Sequence, residues 1–484
     1  MTAANHYQAN IERQIDAEKN ATELIRATQD LWYDKGIELV IFRKKLFDTK
    51  TSEVLNHHNY AQKVVGKPIN IEETARFAKI LTELDLCPAR MDIGRIVYEW
   101  KTEGEGFDNE RAFIKSKLAK FIGVKDEEKT TPKDVVLYGF GRIGRLLARE
   151  LIMQEGRGEQ LRLRAIVTRD NNPDTLEKRA SLLRVDSVHG AFPGSVEADP
   201  DNNAIVINGR PILMIAANAP EDIDYTAYGI DNALIIDNTG AFTNREALSR
   251  HLKAKGAHKV LLTAPGKEVP NIVHGVNQKM FDPNTEDIFS AASCTTNAIV
   301  PVLKVINDNF GVDKGHIETV HAYTNDQNLV DNMHKKYRRG RSAALNMVIT
   351  ETGAGKAVAK ALPELENKLS SNAIRVPVPN GSLAILNLQI DKATSVEEVN
   401  NVMRQAALSG DLVEQINYAI SNELVSSDII GNSCPSVFDS QATIVQNDGK
   451  GLVLYVWYDN EYGYSRQVIR LSKYIAQVRR MRYY

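Results

Sequence analysis

The sequence predicts an α/β protein in three parts: an all-helical N-terminal extension, a doubly wound parallel sheet, and a final α+β domain. Three observations carry this expectation. Short apolar runs alternate with helical stretches from Asp134 onward, a glycine turn joins the first run to the first helix, and longer β-like runs without regular alternation follow Cys294. At 484 residues the chain exceeds one ordinary domain. Charged residues make up 25%, the hydrophobic set 43%, and the formal net charge is −2, so the composition supplies no field that would draw the chain to nucleic acid or a membrane surface. No apolar run reaches the roughly 18 residues of a membrane span. The first twenty residues are polar, with acids as well as bases, unlike a signal or transit peptide, and a cytoplasmic protein is expected. Three scattered cysteines, Cys87, Cys294 and Cys434, make neither a disulfide framework nor a paired metal site.

The extension, residues 1–132, reads as helical. Ile11, Ile15, Leu24, Ile25 and Leu31 recur at helical spacing among polar residues. Asn70 followed by Glu73 has the form of a capping box, and Phe77, Ile80, Leu81 and Leu84 continue one face. Gly104 and Gly106 interrupt, residues 107–121 form a last helix, and the charged stretch 125–133 reads as a linker. His57 and His58 have no spaced partner for a metal and read as a solvated loop.

The second part, 133–293, opens with the buried strand Val135-Val136-Leu137-Tyr138, and a helix is expected over 143–154. Between them stands Gly139-Phe140-Gly141-Arg142-Ile143-Gly144, a GxGxxG in strand–turn–helix context. The first glycine permits the tight turn, the second admits a pyrophosphate to the backbone, and the third lets helix pack on strand. The helix N-terminus then offers free N–H groups to the phosphates of a dinucleotide. The second strand, 163–167, should end in an acid for the adenosine ribose. Two readings stand: Asp170 is that acid, or Thr168 takes its place and Arg169 meets a 2′-phosphate. Strands at 204–207, 233–236 and 259–262 continue the sheet. The third part, 294–459, carries β-like runs at 316–323, 383–390 and 452–458. A C-terminal segment 460–484, with a helix over 466–479, completes the cofactor domain.

Ser293-Cys294-Thr295-Thr296-Asn297 precedes an apolar helical run, which places Cys294 at a helix N-terminus where a thiolate is stabilised. This motif, the glycine turn through Arg145, Thr319-Val320-His321-Ala322, and Trp457-Tyr458-Asp459-Asn460-Glu461-Tyr462-Gly463-Tyr464-Ser465 together resemble the phosphorylating glyceraldehyde-3-phosphate dehydrogenase family, in order. Asp186-Ser187-Val188-His189-Gly190, Thr239-Gly240, Thr352-Gly353-Ala354-Gly355-Lys356 and Arg375-Val376-Pro377 look like that family too, and the likeness runs from about Lys133 to the C-terminus.

The resemblance implies reversible oxidation of glyceraldehyde 3-phosphate with phosphorylation, Cys294 as nucleophile and His321 as base, NAD or NADP as cofactor, and a homotetramer. It implies cofactor contacts from the glycine turn, Thr168, Arg169, Thr239, Thr263, Asn460 and Tyr464. It implies two anion sites: Ser293, Thr295, Thr352 and Gly353 for inorganic phosphate, Thr324 and Arg375 for the phosphate of a phosphosugar aldehyde. Erythrose 4-phosphate is an alternative substrate within the same chemistry, and a regulatory protein acting through the extension is an alternative of another class. The chain departs from the family in Ala298, where a second cysteine often stands, and in Asn332-Met333-His334, where the loop toward a neighbouring subunit's cofactor usually has Gly-Pro-Ser.

Overall fold

The computed structural model describes residues 3–124 and 131–484, with side chains from Tyr7 onward. Two compact units result: Met1–Pro132 with Glu155–Gln160 and Val478–Tyr484, and Lys133–Gln154 with Leu161–Gln477.

In the first unit the helix Ala3–Lys35 buries Ala21, Leu24, Thr28 and Leu31, a face at spacings of three and four. Ile15, expected on that face, is exposed, because the inward stripe begins only at Ala21. Helices Ile71–Thr82, Ile93–Glu103 and Glu110–Lys117 each start at a polar cap: Asn70 accepts from Glu72 N, Asp92 from Arg95 N and Asn109 from Ala112 N. The Glu73 carboxylate, expected to close a capping box, instead pairs with Lys101 at 2.9 Å. Phe77, Leu81, Ile96, Val97, Phe113 and Ile114 fill a core shared with Leu24 and Leu31.

Four expectations are corrected here. The extension is not all-helical: Lys44–Lys45, Glu38–Ile41, Ala89–Asp92 and Met481–Tyr483 form a four-stranded sheet in that order. Runs of four residues or fewer carry no readable period, and the last strand comes from the far end of the chain. The C-terminal helix is Tyr462–Ile475, not 466–479; Gln477 sits at φ 55°, which turns the chain out of the helix and into this sheet. Residues 107–121 hold a shorter helix followed by a 3-10 turn, Ala119–Phe121. His57 and His58 lie on the helix Thr51–Tyr60 rather than in a solvated loop. His57 Nε2 contacts Lys45 O at 3.1 Å, and burial drives its pKa down to about 4. Residues 125–130 of the expected linker lie outside the described residues.

The second unit is built on two sheets. In the first, Ile288–Ser290, Ala257–Leu262, Ala233–Asp237, Lys133–Tyr138, Leu161–Thr168 and Arg210–Ala216 run parallel, and Ala204–Ile207 and Val196–Asp199 close the edge antiparallel. This is the doubly wound sheet the apolar runs predict. The helix Tyr462–Ile475 fastens to the helix Arg142–Glu155: Tyr462 Oη donates to Glu150 at 2.8 Å, Arg466 pairs with the same carboxylate, and Lys473 reaches Gln154 at 3.0 Å. In the second sheet Val348–Thr350, Leu369–Val376, Val312–Ala322, Ser382–Ile390, Gly451–Tyr458, Ser436–Asp439 and Ile416–Ala419 lie side by side. The helix Cys294–Phe310 packs on this sheet with nearly every residue from Thr295 to Leu303 buried.

Because Tyr483 Oη bonds Glu99 and Met481–Tyr483 covers the edge of Ala89–Asp92, removing residues 481–484 is expected to loosen the first unit. Amide exchange over 38–41 and 89–92 should then accelerate by at least roughly tenfold. Unchanged protection would contradict this role of the tail.

Candidate active site

The glycine turn closes as the spacing requires. Gly139 has φ +99°, and a Cβ there would meet Thr239 at 3.0 Å; a Cβ on Gly144 would meet Gly139 O at 2.5 Å. Gly141 faces open space, which leaves room for a pyrophosphate beside the start of the helix Arg142–Glu155. Phe140 contributes its carbonyl, which takes a hydrogen bond from Arg145. Thr239 donates through N and Oγ1 to Asp237 Oδ1, and Thr263 Oγ1 donates to Asp237 O, so one strand end arranges both threonines.

A second turn presents the cysteine. Ala292 lies at φ 54°, a strained conformation for a side-chain-bearing residue, and its carbonyl accepts from Tyr464 Oη at 2.9 Å. This bend carries the chain from Ile288–Ser290 into the helix Cys294–Phe310, whose cap is Ser293, with Oγ accepting from Thr296 N at 3.0 Å. Cys294 is therefore the first helical residue. The end of the other sheet faces it. Parallel register sets His321 beside Arg375, and antiparallel register sets Ser382 beside Tyr458. His321 Nε2 stands 3.6 Å from Cys294 Sγ. Arg375 Nη1 lies 2.8 Å from His321 Nδ1, 2.9 Å from Ala322 O and 3.4 Å from Thr324 Oγ1.

These neighbours set the charges. Burial pushes the Cys294 thiol up, while Arg375 and the Thr295 hydroxyl and N–H pull it down. Burial and then Arg375 drive His321 down to about 3, so the resting imidazole is neutral and able to accept a proton. Burial and then Arg339 hold Arg375 itself below its ordinary value, and an anion placed on it would offset both that cost and its push on His321.

A cavity of about 530 Å³ lies over this pair, lined by Arg142, Ile143, Thr263, Ser293, Cys294, His321, Thr324, Asn460 and Tyr464 among others. Nine of the twenty expected residues thus line one cavity. Thr352 and Gly353 do not: they line a separate, basic cavity of about 930 Å³ with Lys335, Lys336, Arg338, Arg339 and Lys356. Thr295 is buried, its hydroxyl 3.0 Å from Tyr458 Oη, rather than lining either cavity. At the strand end expected to meet the adenosine ribose, Asp170 is engaged as a helix clasp, contacting Thr175, Asn172 and Arg179, and Thr168 Oγ1 donates to Asp170 O at 2.6 Å. Arg169 beside them is exposed.

Sequence reasoning overlooked Glu461, Asp326, Ser382 and Tyr458. Burial pushes Glu461 up, but hydrogen bonds from Arg142 and His189 prevail and hold it below its ordinary value, and it lines the cavity. Asp326 ties Thr324 to Arg339. Glu461 and Tyr458 stood inside a quoted motif, so that signal was present; Ser382 had none beyond its place in a strand.

A doubly wound sheet with a glycine turn, meeting a half-buried cysteine and a buried histidine across one cavity, defines a dinucleotide-dependent dehydrogenase of the cysteine type. Comparison with known proteins agrees. Residues 133–245 match the NAD binding domain of glyceraldehyde 3-phosphate dehydrogenase, and residues 293–460 match its C-terminal domain. A glyceraldehyde-3-phosphate dehydrogenase-like protein of Pseudomonas aeruginosa (strain UCBPP-PA14) is 51% identical over 452 residues, covering 93% of this chain and 97% of that protein. Glyceraldehyde-3-phosphate dehydrogenase 2 of Trichormus variabilis is 43% identical over 345 residues, 71% of this chain and 98% of the relative. The enzyme of Priestia megaterium is 42% identical over 339 residues, 70% and 96%. The chain belongs to the glyceraldehyde-3-phosphate dehydrogenase family, and its cofactor is NAD or NADP.

Replacing Arg375 by Gln removes a positive charge that favours the thiolate, so the midpoint of Cys294 alkylation by iodoacetamide should rise by about one pH unit. A midpoint that stays put or falls would contradict the electrostatic role of Arg375.

Proposed function

We propose that the chain oxidises glyceraldehyde 3-phosphate with inorganic phosphate to an acyl phosphate, through a thioester on Cys294. The observation that carries the reading is Cys294 Sγ at the first position of a helix, 3.6 Å from His321 Nε2, on the wall of the cofactor cavity. His321 takes the thiol proton as Sγ bonds to the aldehyde carbon, giving a thiohemiacetal whose oxygen faces the helix N-terminus. The protonated His321 returns that proton to the new oxygen, which becomes the hydroxyl of the thiohemiacetal, and takes it back as hydride leaves in the oxidation step. When bound, the nicotinamide supplies the hydride acceptor. Phosphate then attacks the thioester carbon and the thiolate leaves. Arg375 with Thr324 holds the substrate's phosphate; Ser293, in the same cavity as Cys294, takes the attacking phosphate, with Thr295 fixing the helix start from behind, while Thr352 and Gly353 line the separate basic cavity. Asn460 and Tyr464 face the nicotinamide end of the cavity.

Two finer points belong to this reading. Arg169 accepts a 2′-phosphate, because the carboxylate that would have excluded one is engaged with Thr175 and Arg179. The chain works as a homotetramer: Leu329, Val330, Met333, Tyr337, Leu345 and Met347 are all exposed along one segment, and Met333 and Tyr337 are 92% and 93% exposed, a display that a second copy would cover.

Steady-state oxidation of glyceraldehyde 3-phosphate, with and without phosphate, tests the reaction. Cys294→Ser should abolish it, and His321→Asn should lower kcat by about 10²–10⁴. Activity that survives Cys294→Ser, or that ignores phosphate, would refute the assignment; faster turnover of erythrose 4-phosphate would reassign the substrate. Arg169→Ala should raise KM for NADP by about tenfold and leave KM for NAD within about twofold, the worth of one charge-assisted contact. Equal effects on the two cofactors would remove Arg169 from the 2′-phosphate.

A further inference from the structure

Beside the cysteine–histidine pair stand buried hydroxyls that the reaction itself does not use. Thr295 Oγ1 lies 3.0 Å from Tyr458 Oη, and antiparallel register sets Tyr458 beside Ser382. Ser382 Oγ donates to Asn460 Oδ1 at 2.8 Å and accepts from Ala322 N, the residue after His321, at 3.1 Å. Ser382 is wholly buried, and Asn460 is buried but for the face that lines the cavity. A serine hydroxyl has one proton and two lone pairs. With the proton given to Asn460 Oδ1, its oxygen accepts from Ala322 N–H. Both links then have a fixed direction, and the direction ends on the carbonyl oxygen of Asn460. The Asn460 Nδ2 amide is left as the donor toward the cavity.

The backbone around Asn460 is held just as firmly. Asp459 Oδ1 accepts from Glu461 N at 2.9 Å, Tyr462 N at 2.7 Å and Asn380 Nδ2 at 2.8 Å, while Oδ2 accepts from Gly431 N at 2.8 Å. Asp459 fixes where Asn460 stands, and nothing in that clasp fixes which way its amide faces. Among the described residues, the Ser382 hydroxyl does that.

We infer that Ser382 is a positioning residue: its hydroxyl sets the amide of Asn460 with Nδ2 toward the nicotinamide carboxamide, and joins that amide to the strand bearing His321. The inference rests on the proposed placement of the nicotinamide beside Asn460. Without the Ser382 proton the amide is free to turn, and an Asn460 oxygen facing the cavity repels the carboxamide oxygen it should bind. The two ends of the hydride path, the base and the cofactor ring, therefore share one hydroxyl.

A double-mutant cycle on the full chain tests this, reading KM for the cofactor, kcat, and the rate of Cys294 alkylation for wild type, Ser382→Ala, Asn460→Ala and the double variant. Asn460→Ala should raise cofactor KM by about tenfold and Ser382→Ala by about fivefold, with the double variant no worse than Asn460→Ala alone. Ser382→Cys, which keeps the volume but is a poor donor, should behave like Ser382→Ala, and Cys294 alkylation should stay within about twofold throughout. Additive effects, near fiftyfold in the double variant, would overturn the inference while leaving the site assignment intact. A general loss that includes alkylation in both Ser382 variants would also overturn it, since that marks a merely structural serine. If Asn460→Ala leaves cofactor KM unchanged, the placement of the nicotinamide falls, and this inference with it.

Discussion

Strand register is the constraint on which the site depends. Four neighbouring strands, Leu369–Val376, Val312–Ala322, Ser382–Ile390 and Gly451–Tyr458, end at one edge of the sheet with Arg375, His321, Ser382 and Tyr458 in a row. A slip of one residue in any pair would turn that strand's side chain to the opposite face. Ile317, Ala384, Leu386, Leu454 and Val456 are fully buried on the core face, so the hydrophobic pattern forbids the slip. Core packing thereby sets the geometry of catalysis.

The row works only because Cys294 is brought to it from another direction. A left-handed Ala292 and a serine cap start the helix where its free N–H groups meet His321, and the dry surroundings favour an uncharged pair at rest. Among the described residues, Arg375 is the positive charge within hydrogen-bond distance of the histidine, and it also reaches Thr324. An anion there answers two needs: it satisfies the guanidinium and it lifts the restraint on His321. On the proposed reading, substrate binding and base strength are coupled through a single side chain.

Much of this was legible in sequence, and the reasons for the rest are physical. The parallel sheet followed from buried apolar runs, and the nucleotide turn from three glycines whose roles the structure reproduces at Gly139 and Gly144. Cys294, His321 and Arg375 were recognisable because their motifs are local. The direction of Asp170 was not: a carboxylate beside Thr175 and Arg179 becomes a clasp, and no spacing rule separates that from a ribose ligand. The extension's sheet was hidden for a different reason. Its strands are very short, and Met481–Tyr483 joins them from the chain's other end, so no window of sequence contains the pairing. Ser382 was invisible because a buried serine acquires a role only from what the fold sets against it.

The most direct test of the account is the mass of the chain after mixing with glyceraldehyde 3-phosphate and oxidised cofactor in the absence of phosphate. The account predicts one acyl group on the peptide carrying Cys294, discharged when phosphate is added, and none on Cys87 or Cys434. An unmodified Cys294 peptide under turnover conditions, or an acyl group that phosphate does not release, would contradict it.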